Sequence, residues 1–244
     1  MSPPALRCES LVIGHRGRAI LPPFDLDIER GRLLLVVGRN GSGKSTLVET
    51  LLGLLPPVAG RVRPERPDLR LAYVPQAAGL DDIVPARARE VAGWGRLRWW
   101  SFLRPWQGRR DRVAVGQALV QANADRFAGQ PFRELSGGQK QRVLFARLLG
   151  SEAEVVLLDE PTASMDMTSE QESYERMAAM AREQRLAVVV VTHTVSLARR
   201  HADWVLFLDR SEDGTGLVLS GAPSHVFAEE RFQRLFPGVS ADAA

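Results

Sequence analysis

One stretch of the chain, residues 38–45, limits the possible folds more than any other. It reads Gly-Arg-Asn-Gly-Ser-Gly-Lys-Ser and follows a short run of branched apolar residues at 33–37. Such a run suits a strand that is buried on both faces of a parallel sheet. After the loop, Leu47 and Leu51 recur at the spacing of one helix face. Strand, glycine-rich loop and helix in this order form a cradle for phosphate groups.

Apolar runs and helical patterns alternate along the rest of the chain, which indicates an α/β fold with a largely parallel sheet. Residues 6–30 are expected to add a small antiparallel sheet. The stretch at about 78–134 lacks branched strand runs and predicts a mostly helical insert. Pro56 and Pro57 are expected to end the first helix. The further strands are predicted at 71–74, 155–158, 187–192 and 205–208, and the helices at 44–55 and about 139–150, 168–184 and 223–235.

The composition excludes several classes of protein. The chain has 244 residues, 45% of them hydrophobic, which is enough to bury a substantial core. Its one cysteine, Cys8, allows no internal disulfide and fits a reducing compartment. A net charge of +3 gives no basis for a nucleic-acid partner. No apolar run approaches the roughly 20 residues that cross a bilayer, so any membrane link is expected to go through a partner.

The residues of the glycine-rich loop match the chemistry of Mg-ATP. Glycines let the backbone wrap closely around phosphates, and the N–H groups at a helix start face negative charge. Lys44, one of only two lysines in the chain, is expected to reach the β- and γ-phosphates, and the Ser45 hydroxyl to ligate Mg²⁺. The residues of this region that are expected to bind the nucleotide are Gly38, Asn40, Gly41, Ser42, Gly43, Lys44, Ser45 and Thr46.

Two carboxylates, Asp159 and Glu160, directly follow the apolar run at 155–158. Open α/β sheets place their ligands at the carboxyl ends of the strands. Asp159 is therefore expected to hold Mg²⁺ through water, and Glu160 to act as the general base that polarises the attacking water. The alternative is a surface acidic pair that caps the end of a strand. The phosphate loop in the same chain argues against this alternative.

A third motif separates this chain from other proteins with a phosphate loop. Residues 135–139 read Leu-Ser-Gly-Gly-Gln, and Ser136 with Gln139 has the pattern of a helix capping box. The two glycines expose N–H groups at a helix start, which predicts a second site for anions. In these motifs and their order, from about residue 6 to 236, the chain resembles the ATP-binding cassette (ABC) family.

The resemblance implies a P-loop NTPase (RecA-like) core with a small antiparallel β subdomain and a helical signature subdomain. The core is expected at about 1–75 and 150–236 and the helical subdomain at about 76–149, within a single domain of residues 1–244. In the family, two cassettes sandwich two ATP molecules, and the signature of one closes on the γ-phosphate bound by the other. The residues expected to bind the nucleotide of a second cassette, in a homodimer, are Ser136, Gly137, Gly138 and Gln139.

Four further positions match the family by their place in the chain. His193, after the 187–192 run, matches the switch histidine that contacts the γ-phosphate and is expected to be catalytic. Gln76 matches the Q-loop residue that touches Mg²⁺ and senses the partner, and Asp166 lies in the D-loop; both are expected to contact the nucleotide. The position that stacks on adenine, most often a tyrosine in the family, is occupied by His15, which predicts only modest selectivity for adenine.

The resemblance also implies a function and its partners. The chain is expected to be an ATPase, converting ATP and water to ADP and phosphate. It would serve as the energy-coupling subunit of a transporter at the cytoplasmic face of the inner membrane. The implied partners are integral-membrane permease subunits and an extracytoplasmic substrate-binding protein. The rival hypotheses are a soluble cassette in cofactor assembly, repair or translation, and a P-loop kinase or GTPase, which would leave residues 135–139 unexplained.

A tryptophan- and arginine-rich stretch at 94–110 is expected to touch a membrane subunit or lipid headgroups, because both residue types are enriched at such boundaries. Local packing of the insert is the alternative. The wording of this stretch, and Gly-Ala-Pro-Ser-His-Val-Phe at 221–227, resembles the zinc/manganese-type importer branch and implies a metal ion as cargo.

Overall fold

Strands and helices alternate through most of the computed structural model, which describes residues 3–75, 86–96, 108–162, 165–210 and 216–236. The strands are β1 (Leu6–Val12), β2 (Gly14–His15), β3 (Arg18–Ala19), β4 (Phe24–Ile28), β5 (Leu33–Gly38), β6 (Ala59–Pro64), β7 (Leu71–Val74), β8 (Val155–Asp159), β9 (Ala187–Thr192), β10 (Trp204–Arg210) and β11 (Gly216–Gly221). The helices are α1 (Lys44–Leu51), α2 (Ala88–Gly93), α3 (Arg109–Gln121), α4 (Gly137–Gly150), α5 (Met167–Glu183), α6 (Val195–His201), α7 (Pro223–Ala228) and α8 (Glu230–Leu235).

A six-stranded sheet with the order β11-β10-β5-β9-β8-β7 forms the centre of the fold. Five of its strands pair in parallel, and β11 pairs antiparallel with β10. The predicted strands at 33–37, 71–74, 155–158, 187–192 and 205–208 are confirmed, whereas β11 carried no clear signal in the sequence. Strands β5, β9 and β8 are parallel neighbours, so the carboxyl ends of all three lie at the same edge of the sheet.

Both faces of this sheet are buried, as the continuous apolar runs predict. Successive residues of a strand point to opposite faces. On β5, Leu33 and Leu35 therefore belong to one hydrophobic cluster and Leu34 and Val36 to another. The first cluster includes residues of α2 to α6, and the second includes residues of α1 and the antiparallel strands. Packing on both faces thus holds the sheet in place, together with the loops that leave its carboxyl edge.

A three-stranded antiparallel sheet, with the order β4-β1-β6, packs beside α1. Two of its strands, β1 and β4, lie within the region 6–30 that was predicted to form an antiparallel sheet, but β6 was missed because its exposed, arginine-rich residues lack an apolar pattern. A short β2-β3 hairpin extends from β1 and carries His15. Cys8 of β1 is buried, and this burial raises the pKa of its thiol to about 12.

The described part of the segment between β7 and β8 is mostly helical, as predicted. In the described residues 86–96 and 108–150, the regular elements are α2, α3, α4 and three short 3₁₀ turns. The exact boundaries of a helical subdomain stay a prediction. The feature that matters for function is the start of α4, which places residues 136–139 at a helix N-terminus.

Two predicted helices differ from those in the structure. Helix α1 ends at Leu51 rather than at the proline pair, because Gly53 adopts a left-handed φ of 71°. The N–H groups of Gly53 and Leu54 donate to the carbonyls of Thr50 and Glu49, at 3.1 and 2.9 Å, which closes a Schellman motif. The predicted helix at 223–235 is two helices, since Glu229 is extended at ψ 127°.

Candidate nucleotide-binding site

Three chain segments converge at the carboxyl edge of the central sheet. Strand β5 leads into the glycine-rich loop, β8 ends in Asp159, and β9 leads to His193. The register places Val37 opposite Thr192 and Asp159 opposite Val191. A cleft of about 760 Å³ opens there, lined by residues 38–42, Glu160 and His193 and, on its far side, by Asp209, Arg210 and Phe236.

The glycines of the loop are required by its geometry. A Cβ at Gly38 would lie 2.1 Å from the carbonyl oxygen of Leu208 and 2.6 Å from the Ser42 hydroxyl oxygen. Gly43 has a left-handed φ of 102°, and a Cβ there would lie 2.9 Å from Ile20 Cδ1. The Ser42 hydroxyl is buried with no hydrogen-bond partner among the described atoms. The loop is therefore a tight backbone cradle with an orphaned polar atom, which fits a phosphate group.

Lys44 lies at the first turn of α1 and is almost fully buried. Its ammonium group donates to the carbonyls of Gly38 and Arg39, at 2.8 and 2.9 Å, so it lies back across the loop. Burial lowers the pKa of the ammonium, and the carboxylates of Glu160 and Asp159 oppose that shift. The charge of Lys44 is thus held at the mouth of the cradle, beside both predicted acidic residues.

Asp159 is half-buried at the end of β8. Burial raises the pKa of its carboxyl, and the negative charge of Glu160 raises it further, while Lys44 and a hydrogen bond from Tyr73 lower it. Tyr73 was missed as a site residue, because a tyrosine on a strand usually belongs to the core. The pairing of β7 with β8 is what brings it to Asp159, and no sequence signal announces that pairing.

Glu160 and His193 contact each other in the wall of the cleft. The distance from His193 Nδ1 to Glu160 Oε1 is 3.3 Å, and the imidazole is 61% exposed. Glu160 has a left-handed φ of 43°, and its N–H donates to the Val191 carbonyl at 3.0 Å. The two residues predicted as catalytic are therefore neighbours, and both line the same cleft as the phosphate loop.

Ser45 and Asn40 are exposed within or beside the loop, whereas Thr46 is buried in the first turn of α1. His15 lies against that turn, with its Nε2 3.0 Å from the Thr46 hydroxyl oxygen. Its ring is exposed, next to the phosphate loop. The structure thus brings His15 to the site, but its role toward adenine stays a prediction.

The signature residues lie apart from this cleft. The predicted capping box is confirmed: the Gln139 N–H donates to the Ser136 hydroxyl at 3.4 Å, and the Ser136 N–H donates to Gln139 Oε1 at 2.9 Å. Ser136, Gly137 and Gly138 are exposed. Within the described part of the chain, none of residues 136–139 lines the phosphate cleft. One chain therefore presents its two predicted anion sites in separate places.

The two remaining predicted nucleotide contacts are Asp166 and Gln76. Asp166 caps α5, since its carboxylate accepts hydrogen bonds from the Ser169 N–H and hydroxyl, both at 2.9 Å. These bonds lower the pKa of Asp166. A capping role is thus visible for it, and nucleotide binding stays a prediction. Gln76, which was predicted to contact Mg²⁺, lies outside the described residues.

Comparison with known proteins assigns the chain to a family. The sequence profile described as ABC transporter matches residues 21–163. The chain belongs to the ABC transporter family. It is 34% identical to the hemin import ATP-binding protein HmuV of Rhodococcus jostii, over 95% of this chain and 79% of that protein. It is also 34% identical to the zinc import ATP-binding protein ZnuC of Pseudomonas entomophila, over 97% of this chain and 85% of that protein.

Solved structures agree with this assignment. A structure described as a metal-chelate type ABC transporter, in an inward-facing conformation, superposes with a TM-score of 0.83 at 27% identity, covering 96% of this chain and 89% of that one. A nucleotide-free ATP-binding cassette from an ABC transporter superposes with a TM-score of 0.80 at 18% identity, covering 95% of this chain and 98% of that one. The second likeness shows the fold alone.

This ABC protein is therefore an ATP-binding, ATP-hydrolysing subunit of a transporter. The rival hypotheses, a soluble cassette outside transport and a P-loop kinase or GTPase, find no support among these relatives. In the parts of the chain that the structure describes, no helix is both long enough and apolar enough to span a bilayer. In the same residues, no three histidine, cysteine, aspartate or glutamate side chains form a metal-holding group.

Proposed function

We propose that two copies of this chain close face to face around two Mg-ATP molecules and use their hydrolysis to drive a permease at the cytoplasmic face of the inner membrane. The observation that carries the proposal is the separation of the two anion-binding features. The phosphate cradle and its carboxylates lie in one cleft, and the exposed signature lies elsewhere on the same chain. A second copy can supply the missing half to each cleft.

Mg²⁺ fits the residues at the cradle. The exposed Ser45 hydroxyl and the half-buried Asp159 carboxylate are the hard oxygen donors that this cation prefers. When bound, the ion would neutralise charge on the β- and γ-phosphates. Lys44 would leave the loop carbonyls that it now contacts and place its charge against the same phosphates.

Glu160 would orient and polarise the attacking water. Its carboxylate lines the cleft that also holds the phosphate loop. His193 Nδ1, 3.3 Å from that carboxylate, would fix its position and contact the γ-phosphate. Across the dimer interface, the N–H groups at the start of the signature helix would bind the same phosphate and favour its negative charge. The base and the phosphate cradle thus come from one chain, and the second anion site comes from its partner.

A groove of about 560 Å³ beside β7 is the proposed contact with the permease. It lies between β7, α4 and the turn at Trp94–Arg96, and its lining includes Trp94, Arg96 and Arg147. Tryptophan and arginine are the residue types that carry much of the energy in protein interfaces. Most of the tryptophan- and arginine-rich stretch, including Trp99, Trp100 and Trp106, lies outside the described residues.

The proposed cargo is a metal ion or a metal chelate, because the relatives named above are a zinc import protein and a hemin import protein. An extracytoplasmic substrate-binding protein would deliver it to the permease. Nucleic acid is not among the proposed partners.

The dimeric ATPase is tested by the dependence of its rate on protein concentration. Phosphate release from Mg-ATP should rise more steeply than linearly with the concentration of the purified chain, because both half-sites must meet. Gln117→Arg, an exposed change on α3, serves as the matched control and should leave the rate unchanged. A specific activity that stays constant from nanomolar to micromolar protein would contradict hydrolysis by an associating dimer.

The permease contact is tested by copurification from membranes of the source organism. The tagged chain should retain a multi-span membrane protein, and Trp94→Ala should reduce that yield several-fold. Trp204→Phe is the control, since Trp204 lies on β10 and bonds to Ser220 through its ring N–H at 2.9 Å. Equal yields from the Trp94→Ala and Trp204→Phe variants would rule out the groove as the contact.

A further inference from the structure

The backbone at Glu160 is strained. Its φ of 43° is a left-handed conformation that glutamate rarely adopts, and the residue that follows is Pro161. A residue before proline is further restricted by contact with the proline ring. Such conformations persist only where surrounding contacts hold them. The hydrogen bonds on either side of Glu160 therefore hold the backbone from which its carboxylate projects.

One hydrogen bond on each side of the strained residue holds it. On the amino side, the Glu160 N–H donates to the Val191 carbonyl at 3.0 Å, which ties it to β9. On the carboxyl side, the Pro161 carbonyl accepts from Gln141 Nε2 at 3.2 Å. Gln141 belongs to α4, and only 7% of its surface is exposed. The side chain thus reaches from the signature helix to the residue after the proposed base.

The Gln141 amide is held in one orientation. The Pro161 carbonyl can only accept, so the amide NH₂ must face it, which turns Oε1 toward α5. There, the buried Ser173 hydroxyl lies 3.0 Å from Gln141 Oε1. The single proton of that hydroxyl has two other acceptors in reach, the Ser169 carbonyl at 2.8 Å and the Met165 sulfur at 3.6 Å. Gln141 therefore lies between the strained loop and α5, within hydrogen-bonding distance of both.

We infer that Gln141 is a positioning residue that couples the signature helix to the catalytic carboxylate of the same chain. The inference rests on the proposed function, since it takes Glu160 as the base. The start of α4 serves the nucleotide of the neighbour, while Glu160 serves the nucleotide of its own chain. The Gln141–Pro161 hydrogen bond is thus a direct mechanical link between the two composite sites of a dimer.

The test is Gln141→Met, which keeps the length of the side chain and removes the donor to Pro161. The expected result is a kcat about 10-fold lower, because a misplaced catalytic group reacts slowly, with KM unchanged. The Hill coefficient for ATP should fall toward about 1, because the two sites lose their link. Nucleotide binding by the monomer, measured with a fluorescent ATP analogue, should not change. Gln117→Met, on the exposed face of α3, is the control.

Ser173→Ala is the second variant, and it answers the question if Gln141→Met does not fold. Loss of the Ser173 hydroxyl frees the Gln141 amide to rotate and leaves Pro161 unchanged. The kcat of this variant should also fall, but by less than that of Gln141→Met. A wild-type kcat and Hill coefficient in the variants that fold, with only the melting temperature lowered, would make Gln141 a packing residue and overturn the inference. Absence of ATP hydrolysis by the wild-type chain would instead overturn the proposed function, and this inference with it.

Discussion

The phosphate cradle and the signature are both proposed anion sites at helix N-termini, but they are built in opposite ways. The cradle stands on buried parallel strands, and its key side chains, Ser42 and Lys44, are buried. The signature stands at the start of a single helix, and Ser136 and Gly138 are exposed. A Cβ at Gly38 would collide with backbone, whereas a Cβ at Gly138 would meet nothing within 4 Å.

This difference separates residues that the fold itself needs from residues that only binding needs. The cradle is needed by the fold and by the ligand together, so changes there should affect stability as well as binding. The signature is locally satisfied by its capping box, and its exposed N–H groups have a purpose only when another molecule arrives. In the proposed dimer, one half of each site is thus preorganised by its own chain, and the other half is completed by association.

The largest effect is expected from Glu160→Gln, which tests whether the cradle side supplies the base. Loss of a positioned general base commonly lowers the rate by about 10²–10⁴-fold. ATP should still bind, and the dimer should accumulate in its ATP-bound form, visible by size-exclusion chromatography. Glu172→Gln, an exposed change on α5, is the control. Hydrolysis at the wild-type rate in the Glu160 variant would assign the base to another residue.

A second substitution, Ser136→Arg, tests whether the signature acts only on a partner. It places bulk and charge at the exposed helix start, and the dimer ATPase should fall by about 10²-fold, as when a transition-state donor is lost. Monomer affinity for ATP should stay at the wild-type value. Loss of the cap should lower the free energy of unfolding by about 1 kcal/mol. Weakened ATP binding by the monomer would show that the signature acts within its own chain.

The pair Gly38→Ala and Gly138→Ala compares the two sites directly. Gly38→Ala should lower the free energy of unfolding by about 1–3 kcal/mol, because the added methyl group overlaps the Leu208 carbonyl. Gly138→Ala should leave stability unchanged or raise it by up to about 1 kcal/mol, as alanine favours a helix. Urea unfolding measures both. Equal destabilisation by the two changes would show that the two glycines meet the same steric demand.

The smallest effect is expected at His15, the predicted contact with the adenine ring. Turnover with ATP and with GTP should differ by only a few-fold in the wild type. His15→Tyr should tighten ATP binding by roughly 1 kcal/mol through a larger stacking surface. Competition between ATP and GTP for the monomer measures this selectivity. Strong discrimination by the wild-type chain would show that another residue recognises adenine.

The sequence predicted the parts of this molecule that depend on local patterns. Apolar runs identified the parallel strands, and the spacing of Ser136 and Gln139 identified a capping box that the structure contains. The missed features depend on contacts between distant segments. Tyr73 reaches Asp159 only because β7 pairs with β8, and Gln141 reaches Pro161 only because α4 packs beside the loop. Gly53 ended α1 early because a left-handed glycine outweighs a later proline pair.

The buried thiol of Cys8 gives the chain a practical property. Its pKa of about 12 keeps it protonated and unreactive at neutral pH, and it is the one cysteine of the sequence. A cysteine introduced at an exposed position, such as Met167 at the start of α5, would therefore be the sole target for thiol-specific probes. Spin labels or fluorophores attached there could report the opening and closing of a dimer without first removing a native residue.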